Sequence, residues 1–365
     1  MITAHAPGRV NLIGEHTDYN DGFALSAALA CHSRVTVSVR RDRTVTVHAR
    51  DFRTVVTFDL DRLSSGRAGH WSDNLRGVLV EMQRAGYKLV GLDTTVWSDV
   101  PIGAGLSSSA SVETAFALAL LGSIDAVANA NALPCLLQRA EQAHAGTNCG
   151  ILDQFISLNA RQGYAKLLDA RSLANKDVPL NPEVQFIACD SGVKRSLTSS
   201  QYNDRRAECE AAIKCLRTVF PKILALRDLT TRQLEDGEPS MDGTLYRRAR
   251  HVVSENERVL AAAAALRRGD FAEFGACMND SHRSLRDDYQ VSCPELDMLV
   301  ELACGAQDVY GARLTGAGFG GCTVSLVGRN SIEAFQRYLA KAYFDETGRR
   351  ATFYHGAGAS GARIV

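Results

Sequence analysis

Near the start of the chain, Gly8-Arg9-Val10-Asn11-Leu12-Ile13-Gly14-Glu15-His16-Thr17-Asp18 gathers a cation, two acids and an imidazole. Such a mixture of donors and acceptors suits a polyhydroxy ligand, whose hydroxyls need both kinds of partner. Pro101-Ile102-Gly103-Ala104-Gly105-Leu106-Ser107-Ser108-Ser109-Ala110 offers a different chemistry. Gly103 and Gly105 let backbone approach a ligand closely, and Ser107, Ser108 and Ser109 can donate to oxyanions. The helix expected to follow adds the partial positive charge of its N-terminus. That combination suits a polyphosphate. It is not a P-loop, because no Gly-Lys-Ser/Thr follows, and Ser108 occupies the third glycine position of a dinucleotide fingerprint. A third glycine-rich string runs from Leu314 to Cys322. Taken singly, these segments also read as a polar turn, a serine-capped turn and a bulge or close-packing site.

Two superficial likenesses fail. Asp18-Tyr19-Asn20-Asp21-Gly22 has its glycine one position early for a calcium loop, and no glutamate closes it. Ser281-His282-Arg283-Ser284-Leu285-Arg286-Asp287-Asp288 is not a protein-kinase catalytic loop, since Asp-Phe-Gly and Ala-Pro-Glu are absent. A charged helical segment is expected there.

The elements that must position these residues alternate between strand and helix. Arg34–Val39 and Thr44–Ala49 alternate with period two about the charged turn 40–43, so a hairpin is expected. Thr94–Ser98 reads as a strand leading into the serine loop, and Ala110–Leu121 as the helix leaving it. A second helix is expected over Ala132–Ala145, with Pro134 in its first turn. Val178-Pro179-Leu180-Asn181-Pro182 interrupts regular structure and is the candidate domain junction. Beyond it, strands are expected at Val184–Cys189, Cys322–Val327 and Ala351–Tyr354, and helices at Gln201–Val219 and Leu245–Arg268. The irregular interleaving points to an α+β architecture.

The 365 residues exceed what one hydrophobic core usually organises, which favours two domains. With 45% hydrophobic and 22% charged residues the chain is neither disordered nor fibrous. Lys+Arg 41 balances Asp+Glu 41, so net charge makes no case for nucleic acid or an anionic membrane as partner. No C-x-x-C occurs among the ten cysteines, and buried free thiols are expected. No signal peptide or membrane-spanning run is visible, so a cytoplasmic protein is expected.

Together and in this order, the three glycine segments resemble the signature motifs of the GHMP small-molecule kinases, and within them the galactokinases. Ala6 to Gly22 (APGRVNLIGEHTDYNDG) is similar to the galactokinase signature almost letter for letter, and GLSSSAS, CGILDQFISL, SSQYNDRR and SHRSLRDDY also have counterparts. The likeness runs from about residue 4 to the C-terminus. It implies a two-domain fold, 1–180 and 181–365, with the active site in the cleft between domains. The implied activity is transfer of phosphate from ATP to the anomeric hydroxyl of α-D-galactose, with Mg²⁺ as cofactor. Asp153 matches the catalytic aspartate, and Arg9 the arginine that pairs with it and faces the transferring phosphate. Glu15, His16, Asp18, Gly150 and Tyr202 match the sugar-binding positions. Glu141 and Ser109 match the magnesium ligands, Gly103, Gly105, Ser107 and Ser108 line the phosphate loop, and Trp71 resembles a residue near the adenine.

The sequence departs from that pattern at Leu25-Ser26, Asp73-Asn74 and Ala317, and it starts close to the first motif. Other readings on the same scaffold are an N-acetylgalactosamine kinase or another sugar-1-kinase, or a non-catalytic galactose and ATP-binding regulator. Ser107 to Ser111 keeps the Ser-Ser-Ser-Ala-Ser run that the regulator type lacks in part. Small molecules are the expected partners, and the chain is expected to be a monomer or weak homo-oligomer.

Overall fold

In the computed structural model, which describes residues 1–63, 68–193, 198–356 and 358–365 (198 and 199 as backbone only), two sheets organise the chain. The larger is built on β1 (Ile2–Ile13) and β2 (Phe23–Val39), which pair antiparallel. β2 is long enough to serve two neighbours on its far edge. Ser33 to Val39 pair with β5 (Leu92–Ser98), and Phe23 to Ser26 pair with β6 (Tyr164–Asp169). β3 (Thr44–Ala49) and β4 (Thr54–Asp59) extend the sheet beyond β5, and β7 (Asn175–Pro179) extends it beyond β6. The short C-terminal strand β12 (Arg363–Ile364) returns to pair with β1.

The expected hairpin does not form. β2 and β3 are separated by β5, to which β3 runs parallel. Arg40, in the charged turn, pairs with Asp42 and Asp93, and its amide donates to the Gly91 carbonyl at 2.8 Å. Those contacts seat the start of β5 between the two strands. Period-two alternation reports a half-buried strand and says nothing about its neighbour.

Helices α1 (Asp73–Arg84), α2 (Ser108–Ser123), α3 (Ala132–Ala140) and α4 (Leu152–Asn159) flank this sheet. Leu75, Val78 and Leu79 of α1 join Phe116 and Leu120 of α2 against Val35, Val37, Val45 and Val47. The helix expected to run to Ala145 changes character at Glu141, where residues 141–145 widen into a π turn that Gly146 ends. Such widenings re-aim side chains, often at functional sites.

The smaller sheet is antiparallel in the order β11 (Thr352–Gly356), β8 (Val184–Asp190), β10 (Cys322–Gly328), β9 (Val309–Leu314). Around it lie α5 (Thr198–Leu216), α6 (Thr231–Gly237), α7 (Gly243–Arg268), α8 (Phe271–Asp287), α9 (Pro294–Cys304) and α10 (Ile332–Thr347). The Ser281–Asp288 string lies mainly on α8, with Ser281, His282 and Ser284 buried. One apolar cluster spans both sheets, joining Val10 and Leu12 of β1 to Phe186, Val324, Leu326 and α7 residues Val259 and Ala262. Leu92, Leu106, Ala110 and the Leu118–Leu121 run are likewise buried, which holds the serine loop and its helix in place. None of the ten cysteines forms a disulfide, but only Cys189, Cys209 and Cys322 are buried, fewer than expected. Six of the others are half-buried and Cys304 is exposed.

Candidate active site

Arg9 sits just after a register shift in the β1–β2 ladder, between Pro7 and Arg9, where a bulge re-aims the strand. Its Nη2 lies 2.7 Å from Asp153 Oδ1, and its Nη1 donates to the Gly105 carbonyl at 2.7 Å. Its backbone N–H donates to the Leu106 carbonyl. One arginine thus holds both the aspartate and the serine loop. Asp153 is in the first turn of α4, where the helix dipole favours a negative charge. Its other oxygen, Oδ2, accepts from Ser107 Oγ at 2.6 Å.

Ser107, Ser108, Ser109, Gly103 and Gly105 line one wall of a cavity of about 390 Å³. Glu141 reaches the same space, and Ser109 Oγ donates to its Oε1 at 3.2 Å. Gln154 Nε2 donates to Glu141 Oε2 at 2.6 Å. Behind them Glu113, on α2, is fully buried with neither carboxylate oxygen hydrogen-bonded among the described residues. Burial, and the proximity of Glu141, push the Glu113 carboxyl well above its usual range.

The opposite wall is built from the first motif. Asp18 Oδ2 accepts from the Leu152 N–H at 3.2 Å, and its Oδ1 from the Tyr19 N–H at 3.0 Å. Burial and the neighbouring Asp153 push its carboxyl up to about 6. Gly150 makes this approach possible, because a Cβ there would lie 1.9 Å from Asp18 Oδ2. Tyr202, on α5, lines the cavity, its ring 5.3 Å from that of His16.

His16 and Glu15 line the same cavity but spend their polar atoms inside the protein. His16 Nδ1 lies 2.7 Å from the Tyr19 hydroxyl, and Nε2 lies 3.2 Å from the Ala317 carbonyl. Since a carbonyl only accepts, Nε2 carries the proton and Tyr19 donates to Nδ1. Burial keeps this imidazole neutral, well below its ordinary value. Tyr19 in turn meets the Tyr289 hydroxyl at 2.7 Å. Glu15 Oε1 accepts from the Gly316 N–H at 2.8 Å and the Thr315 hydroxyl, and Oε2 pairs with Arg313. Arg313 is wholly buried, and the Nη2 that meets Glu15 also lies 3.9 Å from Glu255 Oε1. The first motif is thereby tied to the third glycine loop, and Gly316 packs against Gly105 of the second. The three strings converge on one cavity.

Trp71 is apart from them. It stacks on Phe52 at 5.2 Å and does not line the cavity, and its Nε1–H is buried without an acceptor among the described residues. Several lining residues carried no signal of their own in the sequence. Asn11, Thr147 and Cys149 belong here. Arg313, Tyr19 and Tyr289 act one layer back, and only their neighbours in glycine-rich or charged strings hinted at them.

Residues 2–41 match the galactokinase galactose-binding signature, 74–161 the GHMP kinases N terminal domain, and 262–345 the GHMP kinases C terminal model. A galactokinase of Roseiflexus sp. (strain RS-1) is 49% identical over 97% of this chain and 90% of its own length. The chain belongs to the galactokinase family. The human galactokinase is 43% identical over 100% of the chain and 92% of its own length. The crystal structure of Lactococcus lactis galactokinase complexed with galactose superposes with a TM-score of 0.96 at 35% identity, covering 99% of this chain and 94% of that one. A mevalonate kinase structure, at 18% identity and a TM-score of 0.67, shares the fold. The chain is thus an enzyme, a kinase of the α+β GHMP fold. Among the described residues, no helix is long and apolar enough to cross a membrane.

Proposed function

We propose that this chain transfers the γ-phosphoryl group of ATP to the anomeric hydroxyl of α-D-galactose, giving α-D-galactose 1-phosphate. The observation that carries the reading is the Asp153 carboxylate held from both sides, by Arg9 and by Ser107, facing a cavity built from all three glycine motifs. Phosphoryl transfer asks a protein for alignment and charge stabilisation more than for covalent chemistry. In this reading Asp153 accepts, or orients, the proton of the attacking hydroxyl. Arg9 faces the transferring group, and the loop ahead of α2 receives the phosphates on its N–H groups and hydroxyls. Asp18, Tyr202, Glu15, His16 and Gly150 form the sugar wall.

The donor set also fits Mg²⁺. No group of three or more His, Cys, Asp or Glu side chains is poised for a metal among the described residues. Mg²⁺ needs less, since it commonly keeps waters and phosphate oxygens and takes only one or two protein ligands. Glu141 and Ser109 supply hard oxygens beside the buried Glu113 carboxyl, whose oxygens have no hydrogen bond among the described residues. When bound, the cation would neutralise charge on the phosphates. Trp71, whose indole N–H is unsatisfied, is assigned to the adenine end of the nucleotide. The division 1–180 and 181–365 belongs to the same reading, with the tail that forms β12 rejoining the first sheet. So does action in the cytoplasm on small molecules alone, as a monomer or weak homo-oligomer.

The deciding experiment is a panel of ATP consumption against galactose, N-acetylgalactosamine, glucose and arabinose. Galactose should lead by about tenfold or more over glucose, because a reversed hydroxyl leaves a buried polar group unpaired. Binding of galactose and ATP without turnover would identify a regulator instead.

A further inference from the structure

A second cavity, of about 270 Å³, opens elsewhere on the larger sheet, and the proposed reaction makes no use of it. Its lining includes His5, His32, Gln162, Ser360 and Arg363. The sheet itself concentrates basic groups here. His5 is the direct cross-strand partner of Arg363 on β12 and of Arg34 on β2. Direct partners share a face, so Arg363, His5 and Arg34 stand side by side as a row. Like charges so placed repel, and among the described residues neither Arg34 nor Arg363 is in an ion pair.

The acceptors nearby do not cancel this. His32 is committed: its Nε2 accepts from Arg34 Nε at 2.9 Å and its Nδ1 meets the Ala30 carbonyl at 3.2 Å. Asp99, the carboxylate whose charge acts on His5, accepts from the His32 backbone N–H. The His5 ring, 4.8 Å from that of His32, has no hydrogen bond among the described residues, nor do the side chains of Gln162, Ser360 and Arg363. The cavity therefore presents unspent donors, a full positive charge and an imidazole that a bound anion would let protonate. Burial, His32 and the two arginines hold His5 below its ordinary value in the free protein, against the opposing pull of Asp99.

We propose that this cavity is a binding site for a small oxyanion, a phosphate or carboxylate group seated between His5 and Arg363. Its floor is close in sequence to the catalytic elements. The carbonyls of Ala6 and Pro7 accept from Ser111 of α2 and Ser157 of α4, the helices that begin at the serine loop and at Asp153.

The test is NMR of the full chain carrying ¹³C-labelled histidine, with the His5 signal assigned through His5→Gln. Inorganic phosphate and citrate are titrated separately, without magnesium and with galactose present. A phosphate site responds to the first and a carboxylate site to the second. The expected result is a saturable shift of the His5 signal with a dissociation constant of about 1–10 mM or tighter, and an upward shift of its titration midpoint. Arg363→Ala, an exposed position, should weaken that binding about tenfold or more, and Arg34→Gln should weaken it less. Silence of the His5 signal up to about 50 mM of both anions overturns the proposal. So does a response that survives Arg363→Ala unchanged while the buried His251 signal reports an intact fold.

Discussion

Ser107 Oγ donates to Asp153 Oδ2 at 2.6 Å, on the side of the carboxylate opposite to Arg9. The serine comes from the loop assigned to phosphate, so phosphate site and base are coupled by a direct bond. Ser107 reaches this position with φ at 61°, a left-handed value that non-glycine residues seldom adopt. The loop is held in that conformation by the Arg9 bonds to the Gly105 and Leu106 carbonyls.

Two substitutions separate chemistry from orientation. Asp153→Asn should lower kcat by about 10²–10⁴-fold with the fold intact, as for loss of a positioned base. Ser107→Ala leaves Arg9 in place and should cost kcat about tenfold. Steady-state kinetics with circular dichroism as the fold control checks both. A folded Asp153→Asn variant that keeps more than about a tenth of wild-type kcat removes Asp153 from its role.

The magnesium assignment predicts a different signature. Glu141→Ala and Ser109→Ala should shift the magnesium concentration needed for half-maximal activity upward, by about tenfold for the carboxylate and less for the hydroxyl. Galactose binding, followed by calorimetry in the absence of nucleotide, should hardly change. Magnesium curves that overlay the wild type would count against both ligands.

Arg313 tests whether the sugar wall depends on a residue that never reaches the cavity. It is wholly buried beside Glu15, so Arg313→Met leaves the Glu15 carboxylate buried without its cation, while Glu255 keeps Arg258. Breaking such a pair from one side costs about 3–5 kcal/mol, and a fall of that size in unfolding free energy is expected by urea titration. The double variant Glu15→Gln with Arg313→Met should recover part of the loss. If it is no more stable than Arg313→Met alone, the pairing does not matter as drawn.

Much of this was visible in the chain before any geometry. Helices with dense helix formers, such as α2 and α7, and the apolar strands β8 and β10 follow from local composition, which acts over a few residues. The sugar and phosphate strings were legible because several polar or glycine residues crowd into short spans. What local pattern could not carry was pairing at long range. Glu15 reads as a free sugar-binding acid until Arg313 and Gly316, some three hundred positions away, claim its oxygens. His16 is similarly committed by Ala317 and by Tyr19. The β2–β3 hairpin failed for the same reason, since the strand that intervenes lies outside the window that suggested it.

Asp18 gives the pH dependence. Its carboxyl titrates at about 6 instead of its ordinary 3.8, raised by burial and by Asp153. The free enzyme therefore loses the charged form as pH falls through 6, and kcat/KM for galactose should fall with it. Asp18→Asn should abolish that acid limb while lowering kcat/KM at neutral pH. Stability runs the other way. Between pH about 4 and 6 this carboxyl in the folded protein holds a proton that the unfolded chain has released, so its contribution to stability declines as pH rises through that window. Glu113, Glu141 and the buried His16 and His251 shape the profiles of both proteins, so the check is a difference: in thermal melts from pH 4 to 7, wild type should lose more stability than Asp18→Asn as pH rises. Parallel profiles for wild type and Asp18→Asn would overturn the assignment.

Gly150→Ala asks whether the position of that carboxylate, and not only its presence, sets the sugar site. An added methyl would sit 1.9 Å from Asp18 Oδ2 and 2.0 Å from its Cγ, so the carboxylate must move. Asp18 would then lose the Leu152 N–H that now fixes it at the start of α4. The three atoms nearest that methyl all belong to Asp18, so KM for ATP should stay within about twofold. KM for galactose should rise about tenfold or more, and the preference for galactose over glucose should shrink, since misplacing a buried acceptor forfeits the same hydrogen bond as deleting it. Measuring both sugars and the nucleotide in one variant separates this from a general disturbance of the cleft. A rise in both KM values would mean that α4 itself had shifted, whereas an unchanged sugar preference would mean that Asp18 does not read the hydroxyl pattern.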